Sequence, residues 1–218
     1  MSIRSLDDVR PGDFMISGQN TAPNKLLVYA GQILMKDHFR VGQFVAGHAG
    51  IVTPGGKLVE AMPRGARERD LRETDWSPGH AYFRLLEDYP GQALDAGVIA
   101  RAMVGTRYSF MSYGYIGAYL AAERSDRFDD VAEKLAKHID RRRDPVVLPL
   151  VHQPGPTWNL GVRLPLEAIC SVLAEQCWTL TGKKVIVGTK PQVVTPGMLT
   201  NQLWNGRGVL RGGAGILS

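Results

Sequence analysis

Two apolar runs separated by Pro54-Gly55-Gly56 constrain this chain most. Residues 44–52 carry Phe44, Val45, Ile51 and Val52, and residues 57–62 carry Leu58 and Val59. Both compositions suit strands, and Pro-Gly-Gly supplies the reversal between them. The stretch therefore predicts an antiparallel hairpin, and with it a sheet. In such a pair the start of one strand lies beside the end of the other. His48 opens the chemistry of the first run and Glu60 closes the second. Opposed side chains have Cβ atoms about 5 Å apart, so the spacing brings a carboxylate within reach of an imidazole.

The second stretch is Ile169-Cys170-Ser171-Val172-Leu173-Ala174-Glu175-Gln176-Cys177-Trp178, which reads as a helix with a cysteine in its first turn. Pro165 or Leu166 opens that helix in this reading, with Glu167 also in the first turn. A thiol needs a base to become a thiolate at neutral pH, and the free N–H groups of a helix N-terminus favour negative charge. Cys170 and His48 are thus candidate nucleophile and base. A third group commonly orients such a base. Glu60 is the best placed one, with a Tyr or Gln side chain as the alternative.

The other cysteine, Cys177, lies seven residues on and about 10 Å along the helix axis. That separation forbids a disulfide between them, so both read as free thiols in a reducing compartment, with Cys177 in the core. The chain is long enough for one domain, or one domain with an insertion. Its net charge of +5 permits an anionic partner without selecting one. Aromatic-basic interleaving of the nucleic-acid-binding kind is absent, and no nucleic-acid partner is expected. No apolar run has the length of a membrane span, and residues 1–8 lack an apolar signal core. A cytoplasmic or particle-associated protein is the expectation. His38, His80, His138 and His152 show no metal-ligand spacing with the cysteines, and neither a metal nor a cofactor is expected.

Elsewhere, residues 14–17 and 81–85 read as strands, and residues 23–36 and 92–104 as helices. Residues 63–75 are dense in charge and read as a solvated edge, or as the basic rim of a substrate groove. Two further helices are expected at 113–123 and 128–140. Residues 145–165, rich in Pro and Gly, read as a loop that serves as a lid or interaction surface. The glycine-rich tail reads as mobile.

The order Pro11-Gly12-Asp13 before a strand, then His48-Ala49-Gly50-Ile51-Val52, then Val59-Glu60-Ala61, then Cys170-Ser171 on a helix resembles the circularly permuted branch of the NlpC/P60 superfamily. Within it, the likeness is to the YiiX/YebB-like papain-fold cysteine hydrolases. The likeness covers residues 8–62, 81–110 and 165–200, and includes Gly105 to Phe110 and Thr195-Pro196-Gly197-Met198-Leu199. The chain departs from the family pattern in continuing Cys-Ser-Val-Leu-Ala where Cys-Ser-Glu-Leu-Val is usual, and in the length of residues 111–164.

The resemblance implies an α+β, papain-like fold: a small antiparallel sheet packed on the cysteine helix, here a single domain with a helical insertion at about 111–164. It implies a Cys170-His48-Glu60 triad, thiolate attack on a carbonyl, and a thioester acyl-enzyme, with the Cys170 N–H helping to hold the oxyanion. Tyr108 and Tyr113, together with Ser171, are candidates for contacting substrate, with packing the other role open to the tyrosines. The substrate expected is a peptide-like amide or other acyl compound, cell-wall peptidoglycan stem peptides among them. An acyltransferase or lipid hydrolase on the same scaffold is the first rival. A structural component of a phage particle that keeps the fold is the second.

Overall fold

The computed structural model describes residues 2–18, 39–41, 44–74, 79–85, 90–109, 130, 134, 143–149, 159–165, 167–186, 194–206 and 209–213. In chain order the strands are β1 (Phe14–Ser17), β2 (Arg40–Val41), β3 (Phe44–Val45), β4 (His48–Thr53), β5 (Lys57–Met62), β6 (Gly65–Asp70), β7 (His80–Leu85), β8 (Arg107–Tyr108), β9 (Arg143–Pro149), β10 (Asn159–Pro165), β11 (Glu167–Ala168) and β12 (Val209–Gly212). The helices among these residues are α1 (Pro90–Ala102), α2 (Cys170–Leu180) and α3 (Pro196–Asn205). The fold is α+β. Its main sheet has six strands in the order β12-β7-β1-β4-β5-β6, every neighbouring pair antiparallel.

The predicted hairpin supplies two adjacent inner strands of this sheet, β4 and β5. Ile51 pairs with Val59 and Thr53 with Lys57. Gly55 and Gly56 turn the chain with φ of 81° and 69°, values that side chains bearing a Cβ rarely adopt. β1 is buried along its whole length. It lies between β7 and β4, and both its faces are covered. Phe14 and Ile16 join one apolar cluster, and Met15 joins the other with Val52, Leu58 and Tyr82. A run that is apolar without alternation, Phe-Met-Ile, suits a strand covered on both sides.

Helix α2 packs on the first of these faces, against β4 and β5, and is flanked by α1 and α3. Residues Cys170 to Trp178 are buried without a break, so this helix has no solvated stripe and is the core element of the domain. Its far end is clamped to the sheet. Trp178 stacks on Phe14, with centroids 6.1 Å apart, and donates its indole N–H to the Gly12 carbonyl at 3.0 Å. Gly12 itself has φ of 85°, and a Cβ there would meet the Ala93 carbonyl oxygen at 2.4 Å. The next residue, Asp13, is buried and takes a two-point contact from Arg84 of β7, at 2.8 and 2.7 Å. The Pro-Gly-Asp turn thus ties β1, β7, α1 and α2 together.

Several sequence expectations are corrected. Residues 44–52 are two strands: β3 pairs with β2, and the chain crosses to the main sheet at Ala46-Gly47, where Ala46 N–H bonds Phe39 and Gly47 N–H bonds Ser17. The described residues of 145–165 form the β9–β10 ladder and not a loop, with Val146, Val147 and Leu148 in its register. Residues 63–75, read as a solvated edge, do lie at an edge, and the addition is that they form its strand: Gly65, with φ of 115°, turns the chain back onto β5, and β6 is the partly exposed outer strand of the sheet. The cysteine helix starts at Cys170 and not at 165 or 166. Glu167 and Ala168 instead pair in parallel with Arg107 and Tyr108, which satisfies their backbone groups outside a helix. The helices expected at 23–36 and 113–123 lie outside the described residues. In 128–140 only Asp130 and Lys134 are described, both helical. The proposed insertion at 111–164 lies largely outside them too; besides Asp130 and Lys134, its described part is β9–β10, which forms a sheet of its own up to Pro165.

Candidate active site

Cys170 is the first residue of α2. The N-cap is Ile169, extended and with no side-chain oxygen to occupy the free N–H groups of the first turn. The sulfur faces the His48 ring and the backbone N–H groups of Ala49 and Ser171. Burial pushes the thiol up, but these partners outweigh it and hold Cys170 below the ordinary thiol range. Cys177, equally buried and beside the Met103 sulfur at 3.8 Å, has no such partners. Burial pushes its thiol up.

His48 is the first residue of β4, ahead of Gly50, where the described pairing with β5 begins. At this end its ring meets both the sulfur and Glu60. Burial works against its protonation, yet the charges of Cys170 and Glu60 hold its pKa up at about 9. The Nε2 nitrogen lies 2.9 Å from Glu60 Oε2, which leaves Nδ1 for the sulfur. The state these shifts favour is a thiolate–imidazolium pair.

Glu60 is buried, and a lone buried carboxylate is costly. Two arginines of β6 meet that cost. Arg67 gives Nε–H and Nη2–H to Oε1 at 3.1 and 2.9 Å. Arg69 gives Nε–H to Oε1 at 2.9 Å and approaches Oε2 at 3.4 Å. Burial alone would raise the Glu60 pKa, but His48 and Arg69 hold it well below the usual carboxylate range. With Oε1 saturated by the guanidinium groups, Oε2 is aimed at the imidazole.

The expected trio is therefore brought together, with a change in register. Glu60 stands directly opposite Gly50, and His48 is its diagonal neighbour. The other candidates are placed differently. Ser171 is fully buried, and its hydroxyl donates to the Val194 carbonyl at 2.6 Å. Tyr108 is partly buried and packs on the main core. Tyr113 lies outside the described residues. Sequence reasoning missed Arg67 and Arg69 as partners of Glu60. The signal was the alternation Arg67-Glu68-Arg69 two residues after a Pro-Arg-Gly turn. It also missed Glu175, whose Oε1 accepts the Val185 and Ile186 N–H groups at 3.1 and 3.2 Å while Oε2 is buried with no hydrogen-bond partner among the described residues. Burial pushes this carboxyl up to about 7.

Among the described residues, no group of three or more His, Cys, Asp or Glu is arranged to hold a metal ion, and no helix is long and apolar enough to cross a membrane. No family model, curated protein or solved structure matches the chain.

Proposed function

We propose that this chain is a papain-like cysteine hydrolase that cleaves amide bonds through Cys170, His48 and Glu60. The observation that carries the proposal is the continuous relay from a helix-terminal sulfur to an imidazole to a buried, arginine-held carboxylate. A six-stranded antiparallel sheet packed on the cysteine helix supports the papain-like reading.

In the proposed reaction the Cys170 thiolate attacks the carbonyl carbon. Backbone N–H groups at the start of α2 stabilise the oxyanion. The intermediate collapses to a thioester as the His48 imidazolium gives its proton to the departing amine. His48, now neutral, takes a proton from water, and the resulting hydroxide equivalent attacks the thioester and frees Cys170. Glu60 keeps the ring in one tautomer and balances its positive charge. Peptide-like amides, peptidoglycan stem peptides among them, are the substrate class.

The test is mass-spectrometric trapping of an acyl adduct on Cys170 from a panel of amide and ester substrates. A thioester at Cys170 formed from amides supports the proposal. Acylation from lipid esters alone moves the chemistry to the lipid class, and no adduct from any donor sinks it.

A further inference from the structure

Arg69, Glu60 and His48 stand on one diagonal across three strands. Leu58 of β5 pairs with Arg69, and Gly50 of β4 pairs with Glu60. Glu60 therefore has His48 on one side and Arg69 on the other, each two positions away from its direct partner. That direct partner on β6 is Arg67. The charged groups that face His48 are Cys170 from α2 and Glu60 from β5, and both arginines lie behind Glu60.

The two arginines hold the carboxylate in different ways. Arg67 places both of its contacts, Nε–H at 3.1 Å and Nη2–H at 2.9 Å, on Oε1. Arg69 spans the group: Nε–H reaches Oε1 at 2.9 Å and Nη2–H reaches Oε2 at 3.4 Å. Oε2 is also the oxygen that meets His48 Nε2 at 2.9 Å. The torsion that turns a glutamate carboxylate is broad, so its direction is imposed by its neighbours. A two-oxygen grip adds a geometric restraint that contacts at one oxygen lack. Burial separates the arginines further. The Arg69 side chain is 17% exposed and that of Arg67 is 55% exposed, and an exposed ion pair is held weakly against water.

We infer that Arg69 is a positioning residue of the proposed reaction, an inference that rests on the Cys170–His48–Glu60 reading: its two-oxygen grip directs Glu60 Oε2 onto the His48 ring, while Arg67 adds counter-charge at Oε1. Arg69 acts through the carboxylate, which in turn holds the imidazolium that protonates the leaving amine. Such a proton carrier works best when its supports are locked before substrate arrives.

Lysine separates direction from charge. It keeps the positive charge but, as a compact ammonium, does not reproduce a planar two-oxygen grip. The experiment follows protonation of the His48 ring by nitrogen-15 NMR from pH 5 to pH 10, with a thermal melt for each variant. Arg69→Lys is expected to lower the His48 midpoint by about 1 pH unit, as the loss of one charge-assisted hydrogen bond would. Arg67→Lys is expected to move it by less than about 0.3, in keeping with an exposed pair. A lower Tm in Arg69→Lys without that fall, or equal falls in the two lysine variants, overturns the positioning role. Arg69→Gln serves if the lysine variant does not fold. It also removes a positive charge, which alone would raise the midpoint, so a fall still marks the lost grip and a rise overturns it. If neither variant of Arg69 folds, the residue is structural and not positioning. Glu60→Gln and Cys170→Ala test the underlying reading. Each removes a negative partner of the imidazolium and is expected to lower the midpoint. A midpoint unmoved in either breaks the relay itself, whatever the arginine variants do.

Discussion

His48 Nε2 and Glu60 Oε2 lie 2.9 Å apart although the two residues are not direct partners in the ladder. The contact is diagonal, the direct partner of Glu60 in the ladder being Gly50. Diagonal neighbours are within reach of long side chains. Here the reach is secured by two arginines that turn the carboxylate toward the ring.

Replacing Gly50 by valine is expected to damage both fold and site. A Cβ at this position would already sit 3.0 Å from Leu58 Cδ1 and 3.0 Å from the Val59 carbonyl oxygen. Overpacking of this kind costs about 1–3 kcal/mol. A lowered Tm, with slower alkylation of Cys170, is the expected pair of results; an unchanged Tm would show that the strand gives way.

The thiols are expected to differ in pH dependence as well as rate. Cys170 is held below the ordinary thiol range and Cys177 above it. Iodoacetamide at pH 6.5 therefore modifies Cys170 and spares Cys177. Turnover on an amide has an upper limb near pH 9, where His48 loses the proton it must give to the leaving group. Modification of Cys177 first would remove the nucleophile assignment.

Glu60→Gln keeps the shape and removes the charge, while His48→Ala removes the base itself. The loss of a general base typically costs about 100- to 10,000-fold, so His48→Ala is expected to be the more damaging for turnover. Glu60→Gln also strips Arg67 and Arg69 of their counter-charge, and breaking a buried ion pair costs about 3–5 kcal/mol. Its Tm is expected to drop where that of a surface variant would not. Full turnover in His48→Ala ends the proposed mechanism.

Glu175 gives a pH dependence of stability with a definite sign. Its folded pKa, about 7, is above the ordinary value of 4.5. Between these values the folded state keeps a proton that the unfolded state has lost, so stability falls as pH rises through this window and stays lower above it. A shift of this size corresponds to about 3 kcal/mol. Glu175→Gln keeps an oxygen for the Val185 and Ile186 N–H groups. It is expected to flatten the difference in Tm between pH 5 and pH 8. An identical slope in the variant assigns the effect to other groups.

Asp13→Ala tests the turn that clamps the cysteine helix. It leaves Arg84 without its carboxylate and the Arg10 N–H without its 2.8 Å acceptor. A loss of about 3–5 kcal/mol is expected from an orphaned, largely buried charge. A change below 1 kcal/mol in denaturant unfolding would show that water replaces the pair.

What the sequence determined by itself is local. Pro54-Gly55-Gly56 between apolar runs dictates the hairpin, because turn geometry and alternation act over a few residues. The His48 and Glu60 spacing and the helix carrying Cys170 followed from the same short-range rules. Tertiary structure decided the rest. Residues 63–75 look like a solvated edge when read alone, since charged side chains are ordinarily hydrated. Only once Glu60 is buried on β5 do Arg67 and Arg69 become its partners, on a strand, β6, that stays the partly exposed edge of the sheet. The same holds for Cys170 as the first helical residue. Its helix is cut short by the pairing of Glu167-Ala168 with Arg107-Tyr108, a contact between segments about 60 residues apart that no local preference encodes. The thiol, the imidazole and the carboxylate are written in the chain, but their ionisation is set by desolvation and by neighbours that only the packed core supplies.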